Sequence, residues 1–365
     1  MKPQGCGIGG GSIYTVYDTP RNGKEKELVN IISREVAPFA AQADMFVNNS
    51  KASETGGLAV AVPGDVKGFY KAWQMFGRAK WKDLFAPSIH LCEEGVPVGL
   101  SLAIAICDSG GAIRRDTHLR RLFVNADGTL KKEGDTVKRP LLARTLRRIA
   151  DDPYTFYNGS LASDVISDLQ ERGSTITLED LGNYTANIRI PLNVTVNTNN
   201  EKFTIFSPPP PSSGPVILFI LNVLKGYNWS NKTLSTLDGR VLTYHRIAEA
   251  FKFAYARRTR LGDEDFLNIS QVIMQHLMFG KRIVNATDSP RLHHQLVPNV
   301  LQVEPGITKE EREGLRKKGH VLEKAGLGLV GSIASRLPTP NAPPGAFYGI
   351  DVVSDGRKPG SVCGF

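Results

Sequence analysis

The chain has 365 residues, 41% hydrophobic and 22% charged, the composition of an ordinary globular protein with room for one or two domains. Its net charge of +9 invites a nucleic-acid reading, but the basic residues fall in scattered clusters such as Arg114-Arg115, Arg120-Arg121 and Arg316-Lys317-Lys318. None of these carries interleaved aromatics, so no nucleic-acid partner is expected and a solvated basic surface is the better reading.

In chain order, Gly5, Gly7 and Gly10 match the G-x-G-x-x-G spacing of a dinucleotide-binding turn. Only four residues precede the run, too few for a buried strand, and Ser12 to Tyr17 after it is β-branched and aromatic, which predicts a strand and not a helix. The glycines are therefore read as close backbone packing at the head of a strand. Residues 29–32 predict a second strand, joined to the first through the turn signal Asn22-Gly23-Lys24. Residues 56–64 predict another strand, closing on a Pro63-Gly64 turn. From Asp65 the period becomes helical, with Phe69, Trp73 and Phe76 on one stripe and Gly77 as the stop. Thr177 fits the cap of a short helix with Asp180 in its first turn. Pro208 to Pro211 form a stiff connector before an apolar helix over 216–224, capped by Ser213 or Gly214 with Pro215 in its first turn. The clearest helix runs from Tyr244 to Tyr255, with Tyr244, Ile247, Ala248, Phe251 and Tyr255 inside and Arg246, Glu249 and Lys252 outside.

The usual catalytic signatures are missing. H-E-x-x-H, G-x-S-x-G and the Walker A pattern do not occur, and the adjacent His293-His294 diverge on any regular element. Cys6, Cys92, Cys107 and Cys363 are far apart and lack metal-ligand spacing. No metal and no cofactor are expected. N-x-[ST] acceptors occur at Asn48, Asn158, Asn183, Asn193, Asn228, Asn231, Asn268 and Asn285, where chance would give roughly two. That excess points to a secreted or extracellular glycoprotein. Yet the longest apolar runs, such as residues 216–221, fall far short of the ~20 needed to cross a bilayer, so no membrane span is expected and the N-terminus reads as incomplete.

Several segments, taken together and in order, carry a resemblance. They are Gly7-Ile8-Gly9-Gly10-Gly11, Ser33-Arg34-Glu35-Val36-Ala37-Pro38, Ala61-Val62-Pro63-Gly64, Phe156-Tyr157-Asn158-Gly159-Ser160, Thr177-Leu178-Glu179-Asp180-Leu181 and Leu224-Lys225-Gly226-Tyr227-Asn228. The longest is Tyr244-His245-Arg246-Ile247-Ala248-Glu249-Ala250-Phe251-Lys252-Phe253-Ala254-Tyr255-Ala256. This order closely resembles the γ-glutamyltransferases, or glutathione hydrolases. The resemblance implies the α+β fold of N-terminal-nucleophile hydrolases, an αββα sandwich. It also implies cleavage of the γ-glutamyl bond of glutathione, with transfer to water, amino acids or peptides. In that family the precursor cuts itself, and the new N-terminal threonine attacks with its own α-amine as base. A pair of glycine amides forms the oxyanion hole.

One site residue carries over. Arg34 stands where the family arginine grips the substrate α-carboxylate, a pairing that guanidinium makes in bidentate form. Without the family, an arginine beside Glu35 reads as a surface charge. The nucleophile motif T-x-H-x-S and the Gly-Gly oxyanion pair are missing, so no catalytic residue is assigned. Thr117-His118-Leu119 and Thr243-Tyr244-His245 are decoys. Beyond them, Met278-Phe279-Gly280-Lys281-Arg282 and Pro290-Arg291-Leu292-His293-His294-Gln295-Leu296-Val297-Pro298-Asn299-Val300 resemble the second half of the small subunit. Residues 1–270 thus resemble the large-subunit region and 271–365 the C-terminal half of the small subunit. The αββα sandwich is then incomplete in this chain, truncated in front and internally deleted around the nucleophile. Two functions follow: a family member, inactive as written, or a non-catalytic extracellular glycoprotein that acts as a binding or pairing partner. The family would place it on the outer face of the plasma membrane or in the secreted fraction.

Overall fold

A computed structural model describes residues 5, 7–18, 27–198, 201–227, 229–258, 273–279, 281–294, 298–325, 332–337 and 349–354. The chain divides into two compact units, Met1–Arg189 and Ile190–Phe365. The first contains strands β1 (Ser12–Asp18), β2 (Glu27–Ser33), β3 (Val96–Pro97), β4 (Thr136–Val137) and β5 (Asn187–Arg189). Its helices are α1 (Asp65–Phe76), α2 (Ala86–Glu94), α3 (Leu100–Asp108), α4 (Gly110–Arg115), α5 (Thr117–Phe123), α6 (Pro140–Asp151), α7 (Thr155–Asn158), α8 (Ser160–Gln170) and α9 (Leu178–Asn183).

The expected hairpin forms, with Ser12 opposite Ser33 and Asp18 opposite Glu27, and β5 pairs antiparallel along the other side of β2. The predicted turn at 22–24 lies outside the described residues. Helix α6 places Ala143, Leu146, Ile149 and Ala150 at helical spacing and buries all four. Burying a large side chain of this kind contributes roughly 1.5–3 kcal/mol. Around it Val66, Phe156, Tyr157, Leu161 and Ile176 close one core, while Leu102, Ile106, Ile113 and Phe123 close another under α3–α5.

One reading of local pattern is corrected. Residues 56–64 do not form a strand; Gly57–Ala59 is a 3₁₀ turn, and Val62 makes an isolated bridge with Val36. The amide of Gly57 donates to the Arg172 carbonyl at 3.0 Å, which ties this stretch to a helix terminus instead of to a sheet. The helix predicted from Asp65 forms as α1 and ends before Gly77; Asp65, Val66 and Gly68 are buried in it, Trp73 packs against the core and Phe69 remains 43% exposed.

The second unit opens with the antiparallel hairpin β6 (Leu192–Thr198) and β7 (Glu201–Ser207). Val194 and Val196 alternate inward, with Ile205, against helix α10 (Gly214–Leu224). That helix buries Val216, Ile217, Leu218, Ile220, Leu221 and Leu224, nearly its whole circumference, because it lies between the hairpin and the long helix α11 (Leu237–Arg258). Phe251 and Tyr255 of α11 complete that core. Helix α12 (Ile283–Asp288) is followed by strands β8 (Leu292–His293), β9 (Leu301–Val303) and β10 (Leu322–Lys324), β10 running parallel to β9 and β8 antiparallel. Helix α13 (Lys309–Lys317) packs on α11, and β11 (Ser332–Leu337) pairs antiparallel with β12 (Gly349–Ser354). Buried within this unit, the Arg291 amide and guanidinium both donate to the Glu304 carboxylate, at 3.0 and 3.3 Å. The architecture is α+β, as expected. Among the described residues, no helix is long and apolar enough to cross a membrane.

Candidate active site around Arg34

The loop before β1, the end of β2 and the start of α1 are pressed together backbone to backbone. A Cβ on Gly11 would lie 2.5 Å from the Ser33 carbonyl and 2.7 Å from the Glu35 nitrogen. One on Gly64 would lie 2.1 Å from both the Ser33 carbonyl and the Tyr184 hydroxyl, so neither position admits a side chain. The amides of Gly64 and Asp65 both donate to the Gly10 carbonyl at 2.9 Å. These are donors that a helix start leaves unused. Here they clasp the glycine loop, and the helix terminus that a pyrophosphate would need is occupied by the chain itself.

Arg34 follows β2 directly and is held from behind. The Tyr184 hydroxyl donates to the Arg34 carbonyl at 2.8 Å. Tyr184 stacks on Tyr157, whose hydroxyl accepts from the Lys67 amide at 3.0 Å and donates to the Pro63 carbonyl at 3.1 Å. Further on, the Phe39 amide donates to Asp180, which also closes the capping box with Thr177 at the start of α9. The backbone from the arginine to Phe39 is thus anchored at both ends through side chains more than a hundred positions away.

The Arg34 Nε meets Glu35 Oε2 at 3.2 Å, and both side chains are about one third exposed. Asp65 is buried and accepts a short hydrogen bond from Ser12 Oγ. Burial raises the Asp65 carboxyl above its usual range, the Ser12 hydroxyl opposes that, and the charge of Glu35 adds to it. Burial likewise pushes the Tyr14 phenol up to about 12. Beside Ser12 and Asp65 lies a cavity of about 640 Å³ walled by Phe69, Trp73, Trp81 and Phe85, with Arg139 at its rim. A partly exposed guanidinium paired with the Glu35 carboxylate offers opposite charges side by side, complementary to a molecule carrying both a carboxylate and an ammonium group.

The remaining candidate residues fall elsewhere. Thr117 opens α5 behind Asp116, which caps the amides of His118 and Leu119. Thr243 is buried within α11. The acceptor residues Asn48, Asn158, Asn183, Asn193 and Asn285 are exposed; Asn231 begins a 3₁₀ turn, and Asn228 and Asn268 lie outside the described residues. Cys92 is buried and Cys107 exposed, both as free thiols, whereas Cys6 and Cys363 lie outside the described residues.

One constellation was not anticipated. In the second unit His245, Glu249 and His320 bring one ligand atom each within 4.8 Å of one another. The four-residue step from His245 to Glu249 along α11 was visible in the sequence, but nothing local pointed to His320.

The sequence model of the family described as gamma-glutamyltranspeptidase matches residues 1–272 and 268–365, two stretches that meet near residue 270. Scoloptoxin SSD14 of Scolopendra dehaani is 41% identical over 276 residues, which cover 75% of this chain and 47% of that protein. Glutathione hydrolase 3 of Arabidopsis thaliana is 35% identical over 298 residues, 80% of this chain and 45% of that one. The chain therefore spans about half the length of the curated relatives it matches. The crystal structure of Helicobacter pylori gamma-glutamyltranspeptidase superimposes with a TM-score of 0.63 at 30% identity, covering 73% of this chain and 74% of that chain. A cephalosporin acylase from Bacillus halodurans, at 19% identity, shares the fold over 98% of this chain and 87% of its own with a TM-score of 0.72.

Proposed function

The chain belongs to the gamma-glutamyltranspeptidase family, and from that membership we propose that it binds the γ-glutamyl end of glutathione or a related substrate through Arg34 without cleaving it. The observation that carries this reading is the intact Ser33–Pro38 segment, held by Tyr184 at the Arg34 carbonyl and by Asp180 at the following Phe39 amide while the guanidinium stays partly open. Arg34 takes the α-carboxylate; Glu35, its present partner, is displaced toward the α-ammonium. In this reading residues 1–270 derive from the large-subunit region and 271–365 from the C-terminal half of the small subunit, the two family matches meeting near residue 270 being its support. The αββα sandwich is incomplete, and the block that bears the N-terminal threonine and the glycine oxyanion pair is absent between them.

A purified chain is expected to bind glutathione in calorimetry and to release no chromophore from a γ-glutamyl anilide. Arg34→Ala should weaken binding at least about tenfold, the loss of a charge-assisted hydrogen bond. Turnover by the wild-type chain that vanishes in Arg34→Ala would overturn the non-catalytic half of the reading. Unchanged binding by that variant would overturn the other half. Self-cleavage into two fragments, the smaller beginning with threonine, would refute the internal deletion.

A second reading, an extracellular glycoprotein that pairs with a binding partner, is favoured by the five acceptor asparagines that stand exposed. Glycosidase treatment of the chain secreted from a eukaryotic host tests it: a drop in mass is expected, and an unchanged mass would exclude it.

A further inference from the structure

We propose that His245, Glu249 and His320 form a mononuclear site for a divalent transition cation of the zinc class. The inference is independent of the Arg34 reading and rests on the second unit alone.

The placement comes from two elements. His245 and Glu249 stand one turn apart on α11 and so project from the same face. His320 arrives from the end of α13, where Gly319 adopts a left-handed φ of +89° and the His320 amide returns to the Leu315 carbonyl at 3.2 Å. That helix termination fixes the direction in which the imidazole enters. Its side chain is only 1% exposed, whereas Glu249 is 37% exposed, so an ion enters past the carboxylate.

The donor set selects the ion. Two imidazole nitrogens and one carboxylate oxygen suit zinc and its neighbours, while calcium and magnesium prefer oxygen throughout. His245 Nδ1 lies 2.9 Å from His320 Nε2, and His320 Nε2 lies 4.0 Å from Glu249 Oε1. Tetrahedral zinc with bonds of about 2.0–2.1 Å spreads its ligand atoms to a little over 3 Å. Small rotations of the side chains therefore suffice. The proton now shared by the two rings moves to an outer ring nitrogen, and both inner nitrogens then offer lone pairs. Burial lowers both imidazoles, His320 to about 4, and so favours the neutral form that metal binding requires.

The surrounding charge limits affinity. Lys252 holds Glu249 Oε1 at 2.7 Å, and Arg246 and Lys318 lie close enough to act on His245. The oxygen nearest the rings is thus the one Lys252 already holds, so the ion competes with the ammonium for it, and binding in the micromolar range is expected in place of the nanomolar range of a closed structural site.

The test uses the full chain stripped with a chelator, then titrated with zinc against a chromophoric competitor, with cobalt absorption to report coordination geometry. One equivalent of zinc should bind and raise the melting temperature, while magnesium and calcium should not. Glu249→Gln and His245→Gln, both on partly exposed positions, should weaken zinc at least about tenfold while retaining the wild-type circular dichroism. Zinc binding that survives both substitutions in folded protein would place the ion elsewhere and overturn the proposal. So would the absence of saturable binding at millimolar zinc.

Discussion

The two units position their key side chains by different physical means. Around Arg34, position is set by excluded volume: glycines let three backbone segments touch, and tyrosine hydroxyls lock the carbonyls in place. Around His245 and Glu304, position is set by helix periodicity and by buried charge satisfied within the unit. The first design tolerates no added atom, and the second tolerates no missing charge.

The sharpest way to break this contrast is Gly64→Ala. A Cβ 2.1 Å from two oxygens cannot be absorbed without parting β2 from α1, so a loss of at least about 3 kcal/mol is expected in chemical denaturation. A variant as stable as wild type would remove the excluded-volume account. Next comes Glu304→Gln in the other unit, which neutralises the buried carboxylate to which the Arg291 guanidinium donates and should cost about 3 kcal/mol. Its denaturation midpoint should fall with little change in the transition of the first unit.

Asp180 offers a milder probe with a pH signature. Burial would raise its carboxyl, but hydrogen bonds from the Phe39 amide and from Thr177 hold it below the usual carboxylate value. Its contribution is therefore complete above about pH 4, the unfolded value, and is lost as pH falls through the lower folded value. Asp180→Asn should cost about 1 kcal/mol at neutral pH and flatten that acid-side loss. A thermal-melt series from pH 7 to pH 2 measures both. The smallest effect is reserved for Gly7→Ala. Nothing lies within 4 Å of the added Cβ, so stability should stay within about 0.5 kcal/mol. A large loss there would mean that the whole loop, and not Gly11 alone, is under steric control.

The same contrast explains what could be read in the sequence. The β1–β2 hairpin, the Thr177 cap and α11 were legible because each is decided by neighbours a few residues apart. The failed strand at 56–64 was decided by the Arg172 carbonyl, which no local window contains. The exposed Phe69 shows a further limit. Aromatic spacing announced the helix correctly but could not say which members of the stripe are covered: Trp73 packs against the core and Phe69 stays exposed. Arg34 became a candidate through its motif and not through its charge. His320, by contrast, joins His245 from 75 positions away, and only the folded chain brings them together.

The clasp between α1 and the glycine loop has a consequence for solution dynamics. The Gly64 and Asp65 amides share one acceptor, so undocking of the loop releases both protons in a single event. Their hydrogen exchange should proceed at a matched opening free energy, separable from the slower exchange of the buried core. That pair provides a ligand-free readout of whether the loop beside Arg34 is closed, and at what equilibrium cost it opens.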